Sequence, residues 1–336
     1  GVPDVWQRAT GPRLVFDDGG YDVRVLGGEQ RWCSRTDVGE DGWLEGWQER
    51  RDAAMEGLTF DAAGFILDAD GNQLSPEEAG RRSPALRLAV AARSALGADV
   101  EVRAEEQTEK VHDVKGVSLA GFGRAAGRLV TAVARTGASS VCTVDGTRKS
   151  VVVTGPDGKA RSRVVSAYAA VNEAGEVLRG ALADGDNYLA ELAAQMHVAR
   201  RPGACRRLVV LTDATSPVEA LWRFVRQCWR KQQRAYKRRW LDSWAQTLRQ
   251  FDVVYFVWGR SHTMEPINDL ADAAADESAE MAGNDGLDES DLDSECLPPR
   301  YGSIDVRGLD RGARSWVCSA AQEEAVDRLY ERTEST

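Results

Sequence analysis

The chain is poor in the residues that most often hold structural metals. Three histidines (His112, His197, His262) and six cysteines (Cys33, Cys142, Cys205, Cys228, Cys296, Cys318) are scattered over 336 residues with no CxxC pair. Zinc modules need four such ligands at short, fixed spacings, so a zinc finger is excluded. The cysteines read as reduced thiols of an intracellular protein, and no disulfide-linked partner is expected. Long apolar runs are also missing. A stretch such as 251–258 falls far below the ~20 residues needed to cross a bilayer, so no membrane partner is expected. The opening GVPDVWQRATGPR has no basic stretch leading into an apolar one, so no secretory signal is expected, and the reading is cytoplasm or nucleus. The chain begins without methionine, the expectation for a fragment or a piece of a longer polyprotein.

What is present belongs to a globular chain: 43% hydrophobic and 29% charged residues. The length suits one large or two ordinary domains. A net charge of -10 opposes indiscriminate binding to polyanions, although the average conceals regions of opposite sign. The stretch before Val111 names no chemistry. Leu44, Trp47, Ala54 and Leu58 approach helical spacing, and 59–73 reads as short strands around an Asp70-Gly71 turn. The run DADGNQ fails as a calcium loop: its glycine comes too early, and Ala79 occupies the place of the bidentate glutamate. A helix is predicted over 83–96 and a short strand over 100–103.

From Val114 onward the pattern sharpens. A helix over 121–135 precedes a strand over 140–144 that ends at Asp145-Gly146-Thr147. Strands follow over 150–154, 162–171 and 177–183, with turns at 155–158 and 172–175. A helix over 188–199, the strand RLVVLT (207–212), helices within 217–250, a strand over 251–258 and a helix over 266–281 complete the series. Strands first, then alternating helix and strand, predict an α/β fold with a mixed sheet and helices on its faces. Farther on, the run NDGLDESDLDSE is acidic and poorly apolar, and a helix is predicted over 320–333. The division is thus an α+β N-terminal region of unknown role (1–136), a central domain (137–282), and an acidic linker with a C-terminal tail (283–336).

Cutting a phosphodiester with two metal ions requires carboxylates from separate elements to meet at one point, and magnesium favours such oxygen ligands. Asp145 ends a strand, Glu191 lies in a helix, Asp213 directly follows RLVVLT, and Asp272 lies in the final helix. Any one of these acids alone is most often a solvated surface charge. As a set, placed at strand ends and on helix faces, they are informative.

Several stretches in this order are similar to ribonuclease H of type 1, in its retroelement or cellular forms, over roughly 139–280. Asn187-Tyr188-Leu189-Ala190-Glu191-Leu192 resembles the helix that carries the family's second acid. Leu211-Thr212-Asp213 resembles its strand-ending Thr-Asp, and the interval from Glu191 to Asp213 suits the family. Trp258-Gly259-Arg260-Ser261-His262, with Asn268-Asp269-Leu270-Ala271-Asp272 after it, resembles the closing motif of a histidine on a mobile loop and an aspartate opening the last helix. Thr143-Val144-Asp145-Gly146-Thr147 resembles the first-acid strand, but Asp145 lies so far ahead of Glu191 that an extra hairpin must intervene. Asp157 keeps the better, shorter interval but sits in a turn-like Gly155-Pro156 context, so Asp145 is preferred and Asp157 stays the alternative. Ala214 stands where the family often has serine.

The resemblance implies a five-stranded mixed sheet flanked by helices. It implies that Asp145, Glu191, Asp213 and Asp272 bind two Mg2+ ions, with Mn2+ as a substitute, and that His262 assists proton transfer or product release. The implied activity is hydrolysis of the RNA strand of RNA–DNA hybrids, in a chain that is part of a retroelement polyprotein. Eight Lys or Arg residues and no acid lie between Trp222 and Trp240, interleaved with aromatics. Arg226, Trp229, Arg230, Lys231, Arg234, Lys237 and Arg238, with Trp222, Asn187 and Asn268, are the candidate nucleic-acid contacts. An amphipathic helix with core aromatics explains the same stretch. Two other readings stand beside the nuclease: an inactive module of the same fold that binds nucleic acid, and a dinucleotide site at Gly121-Phe122-Gly123-Arg124-Ala125-Ala126.

Overall fold

The computed structural model describes residues 13–18, 23–26, 43–111, 114–154, 158–182, 187–198, 206–225, 241, 244–245 and 247–284. Strands β1 (Arg13–Asp17) and β2 (Val23–Leu26) come first, followed by helix α1 (Trp47–Met55). A small hairpin of β3 (Thr59–Phe60) and β4 (Ile66–Leu67) leads to α2 (Pro76–Arg82) and α3 (Pro84–Ala95). Strands β5 (Glu101–Arg103) and β6 (Gly116–Ser118) form a two-stranded parallel pair ahead of α4 (Leu119–Thr136). Then come β7 (Ser140–Thr154), β8 (Ala160–Asn172), β9 (Val177–Leu182), α5 (Asn187–Val198), β10 (Arg207–Thr212), α6 (Thr215–Val225), a 3-10 turn at Leu248–Gln250, β11 (Val253–Trp258) and α7 (Pro266–Asn284).

The main sheet has seven strands in the order β2-β1-β11-β10-β7-β8-β9. Strands β1, β11, β10 and β7 run parallel, while β8 and β2 are antiparallel to their neighbours. The fold is therefore a mixed α/β sheet flanked by helices. It is wider than the five strands expected from 137–282, because β1 and β2 of the N-terminal region extend it beyond β11. The RLVFD run of β1 is short and mostly apolar, yet its place is set by pairing with a strand far along the chain, Arg13 lying opposite Val253.

Strand alternation distributes the core to both faces. Cys142, Val144, Tyr168, Val210 and Phe256 point to the side where Leu192 and Met196 of α5, Leu221 of α6 and Trp244 cover them. Val141, Val209, Leu211, Tyr255 and Val257 point the other way, against Leu86 and Leu88 of α3 and Phe122 and Leu129 of α4. Helices of the N-terminal region thus close one side of the sheet. Ala274, Ala275, Ala279 and Ala282 of α7 pack on the outer part of the same side, against Val151, Val165, Ala167, Ala169 and Val171. Small residues let that helix lie close to the strands.

Two details differ from the pattern in the sequence. The strand expected to end at Asp145-Gly146-Thr147 runs on through Thr154 as one 15-residue element, paired with β8 from Cys142 onward. The glycines of the dinucleotide-like motif lie inside α4, which starts at Leu119 and is capped by Ser118 accepting from the Gly121 N–H. No phosphate-binding loop separates β6 from α4, so the motif does not build the site its spacing suggested. The DADGNQ run is a turn in which Asp68 accepts from the Asp70 and Asn72 N–H groups. The acidic run past Asn284, the helix predicted over 320–333 and the rest of the C-terminal tail lie outside the described residues. Among the described residues, no helix is long and apolar enough to cross a membrane.

Candidate metal centre

Two adjacent strands set the position of two carboxylates. β10 pairs with β7 in parallel up to Thr212 opposite Val144, and Asp213 and Asp145 are the next residue on each strand. Neighbouring strands lie about 4.8 Å apart, so side chains one step past the last pair can meet at the carboxyl end of β10. The chain's path dictates this approach.

The third carboxylate comes from α5, and Gly146 explains how the helix reaches it. A Cβ at Gly146 would overlap the backbone of Ala190 and Glu191, so only glycine lets the helix lie against β7 at this point. Glu191 is then brought beside Asp145, and ligand atoms of Asp145, Glu191 and Asp213 all lie within 4.8 Å of one another. Asp272, from α7, lies near the cluster and helps to push Asp145 up. Its Oδ2 is 3.9 Å from His262 Nδ1. Sequence alone left Asp157 open as the first acid; Asp145 is the one gathered here, while Asp157 lies outside the described residues.

The cluster is buried and charged with one sign. Asp145 and Glu191 are only 5% and 7% exposed. Burial, followed by the charges of Glu191, Asp213 and Asp272, pushes Asp145 well above the usual carboxylate range. Burial and then Asp213 do the same to Glu191. Asp213 is raised chiefly by burial, with hydrogen bonds from Ser261 and Asp145 holding it down. Glu191 Oε2 and Asp213 Oδ1 are buried without a hydrogen-bond partner among the described residues. Buried oxygens left this way are costly, and a hard cation is the partner that satisfies several at once. The donor set is all carboxylate oxygen, the kind that hard divalent cations take.

The supporting contacts were not visible in the sequence. Gln195, one turn beyond Glu191, donates to Thr212 Oγ1 at 2.9 Å and to the Ala214 carbonyl at 3.2 Å, fixing the turn that presents Asp213. Trp258 Nε1 donates to the Asp213 carbonyl at 2.8 Å. The i,i+4 spacing of Glu191 and Gln195 is a usable signal, since it places both on one helix face. At the start of α7, Glu265 accepts from the Ile267 and Asn268 N–H groups at 3.0 and 2.9 Å. Burial raises Glu265 to about 7. Burial, then the charges of Glu265 and Asp272, raises Asp269 to about 8.

The other named residues divide. Asn187 is exposed at the first turn of α5. Asn268, expected to touch nucleic acid, is 1% exposed and faces inward. Trp222 is 3% exposed and joins the core with Leu221 and Phe224, so this part of the basic stretch follows the core-aromatic reading. Arg223 pairs with Glu219 on the surface. Arg226, Trp229, Arg230, Lys231, Arg234, Lys237 and Arg238 lie outside the described residues. His197 is buried and stacks on Tyr168 with ring centroids 4.9 Å apart, a structural role. Cys142 is a buried thiol that donates to the Val209 carbonyl.

The loop carrying His262 is held rather than loose. His262 and Met264 adopt left-handed backbone, with φ of 55° and 59°. Non-glycine residues there cost about 1–3 kcal/mol each and persist only when surrounding contacts impose them. Those contacts come from the N-terminal region: the Val111 N–H donates to the His262 carbonyl and the Ser118 N–H to the Met264 carbonyl, both at 2.8 Å.

No protein-family model matches this chain, and no curated protein matches it either. The gathered carboxylates are therefore what speaks for its chemistry.

Proposed function

We propose that the chain is a divalent-metal-dependent nuclease of the ribonuclease H kind, hydrolysing the RNA strand of RNA–DNA hybrids. The observation that carries this reading is the convergence of Asp145, Glu191 and Asp213, from three separate elements, within 4.8 Å. Support also comes from the part of the sheet formed by β9-β8-β7-β10-β11, which is compatible with the five-stranded mixed sheet that the resemblance implies. The metal-binding part rests on chemistry: buried carboxylate oxygens without partners, on groups of like charge, fit Mg2+ or Mn2+.

Asp145, Glu191, Asp213 and Asp272 would hold the ions. Bound there, divalent cations supply charge to the scissile phosphate and make a water acidic enough to attack it. In the reaction, water oxygen bonds to phosphorus and the bond to the 3' oxygen breaks, leaving a 3'-hydroxyl and a 5'-phosphate. His262 Nδ1, close to Asp272, would carry a proton between this edge and solvent. Asn187, exposed on the same helix as Glu191, would meet the hybrid backbone.

The test is incubation of the purified chain with labelled hybrid, duplex RNA and duplex DNA, each with Mg2+ and with a chelator. Hybrid alone should be cut, and only with Mg2+. Asp213→Asn should slow cleavage by about a thousandfold or more, as expected when several kcal/mol of charge stabilisation are lost, while hybrid binding persists. Unchanged cleavage by that variant would end the assignment.

A further inference from the structure

The acidic cluster is assembled from 137–282, but the loop beside it is not self-supporting. Residues 104–111 and 114–118 run along the loop between β11 and α7 and bond to it at several points. Val111 and Ser118 hold the His262 and Met264 carbonyls through their N–H groups. Arg260 donates to the Thr108 carbonyl at 3.4 Å. The Met264 side chain sits on Gly116, where any Cβ would collide with it. Ser118 Oγ accepts from the Gln107 N–H and donates to the Glu105 carbonyl, which holds the two parts of this strap together.

One contact reaches the carboxylates. Lys110 Nζ donates to Ser261 Oγ at 2.8 Å. An ammonium has no acceptor, so Ser261 must accept from Lys110 and is left to point its own proton elsewhere. The Ser261 hydroxyl lies beside the Asp213 carboxylate, close enough to hold that acid's pKa down. Ser261 thus stands between Lys110 and Asp213, with its own proton available to the carboxylate.

We propose that this strap is part of the metal centre, and that Lys110 is a positioning residue that orients the Asp213 carboxylate through Ser261. This rests on reading the acidic cluster as a metal site. Lys110 touches neither metal nor substrate. It fixes the Ser261 rotamer, and the strap's backbone bonds fix the unusual conformation of the loop that carries Ser261 and His262.

The test uses the full chain and Mn2+ alone, titrated calorimetrically, with amide hydrogen exchange on the same samples. Lys110→Met and Ser261→Ala should each weaken Mn2+ binding by about tenfold, the usual loss when a ligand's orienting partner is removed. The double variant should be no weaker than either single one, because both act on one path. Lys110→Arg, which can still donate, should stay within about twofold of the parent. Protection of the Val111 and Ser118 amides should survive in Lys110→Met. If Lys110→Met binds Mn2+ as the parent does while Asp213→Asn does not bind it, the inference is overturned and the metal site stands. A parent that takes up no Mn2+ overturns the metal-site reading and the inference with it. If protection falls throughout Lys110→Met, or Lys110→Arg restores nothing, Lys110 is merely structural and the inference is overturned.

Discussion

Two carboxylate sites at the same end of the sheet have opposite designs. Asp17 closes β1, and Arg128 of α4 meets its carboxylate at 3.0 Å. The same guanidinium donates to the Asp17 and Trp258 carbonyls, and Tyr255 donates to Asp17 Oδ2. Across β11 and β10, on β7, Asp145 faces the like charges of Glu191, Asp213 and Asp272. The first site is paired and joins the N-terminal strand to the rest of the sheet. The second is left with like charges together and two oxygens unsatisfied. Buried carboxylates of one sign oppose folding, and a bound cation would offset that cost.

The largest way to break the comparison is at Gly146. Gly146→Val should push α5 off β7, cost about 3 kcal/mol or more as an overpacked core position does, and remove any thermal response to Mg2+. Calorimetric melting with and without the ion checks both. Next is the paired site: Arg128→Met leaves Asp17 and the Trp258 carbonyl without their donor and should cost about 2 kcal/mol, a buried-pair loss discounted for partial exposure. Its Mg2+ response should remain. A smaller effect of opposite sign is expected at Asp145→Asn, which removes one repelling charge. The metal-free protein should gain about 1 kcal/mol at pH 8 and lose the Mg2+-induced rise in Tm. A destabilised Asp145→Asn variant would contradict the contrast between the two sites.

The smallest effect is the pH dependence of the metal-free fold. An acid whose pKa is raised by folding stays protonated longer in the native state, so the native state binds more protons than the unfolded chain. The stability of such groups is fully present below about pH 4 and is lost as pH rises through the folded values. Glu265 at about 7 and Asp269 at about 8 place the window between the unfolded carboxylate range and about pH 8. Unfolding in urea should therefore show falling stability from pH 5 to pH 8 without metal, and a flatter profile with Mg2+. A rise over that range in the metal-free protein would refute the assignment of these buried acids.

Part of this was legible in the chain itself. RLVVLT matched β10, and the period-2 and period-3.6 patterns placed most elements of the central domain within a few positions. Asp145, Glu191 and Asp213 stood out because strand-end and helix-face acids are few and ordered. Strand β1 was not legible, because a short strand has no signal apart from its distant partner. The same holds for Trp258 and the strap: Lys110 and Ser261 are 151 residues apart, and nothing local marks their contact. Trp222 and Asn268 misled for a related reason. An amphipathic pattern says that one face is buried but not which groups a ligand could reach.

By itself the sequence determined the alternation of elements, the class of the fold and the candidate acids, since these depend on local periodicity and residue chemistry. Tertiary structure alone decided that Asp145 is the first acid of the cluster, that the N-terminal region widens the sheet and holds the His262 loop, and that the carboxylates are buried with like charges. The physical reason is distance: Coulomb repulsion, desolvation and hydrogen bonding act over a few ångströms, and which residues come that close is set by how strands pair and helices pack.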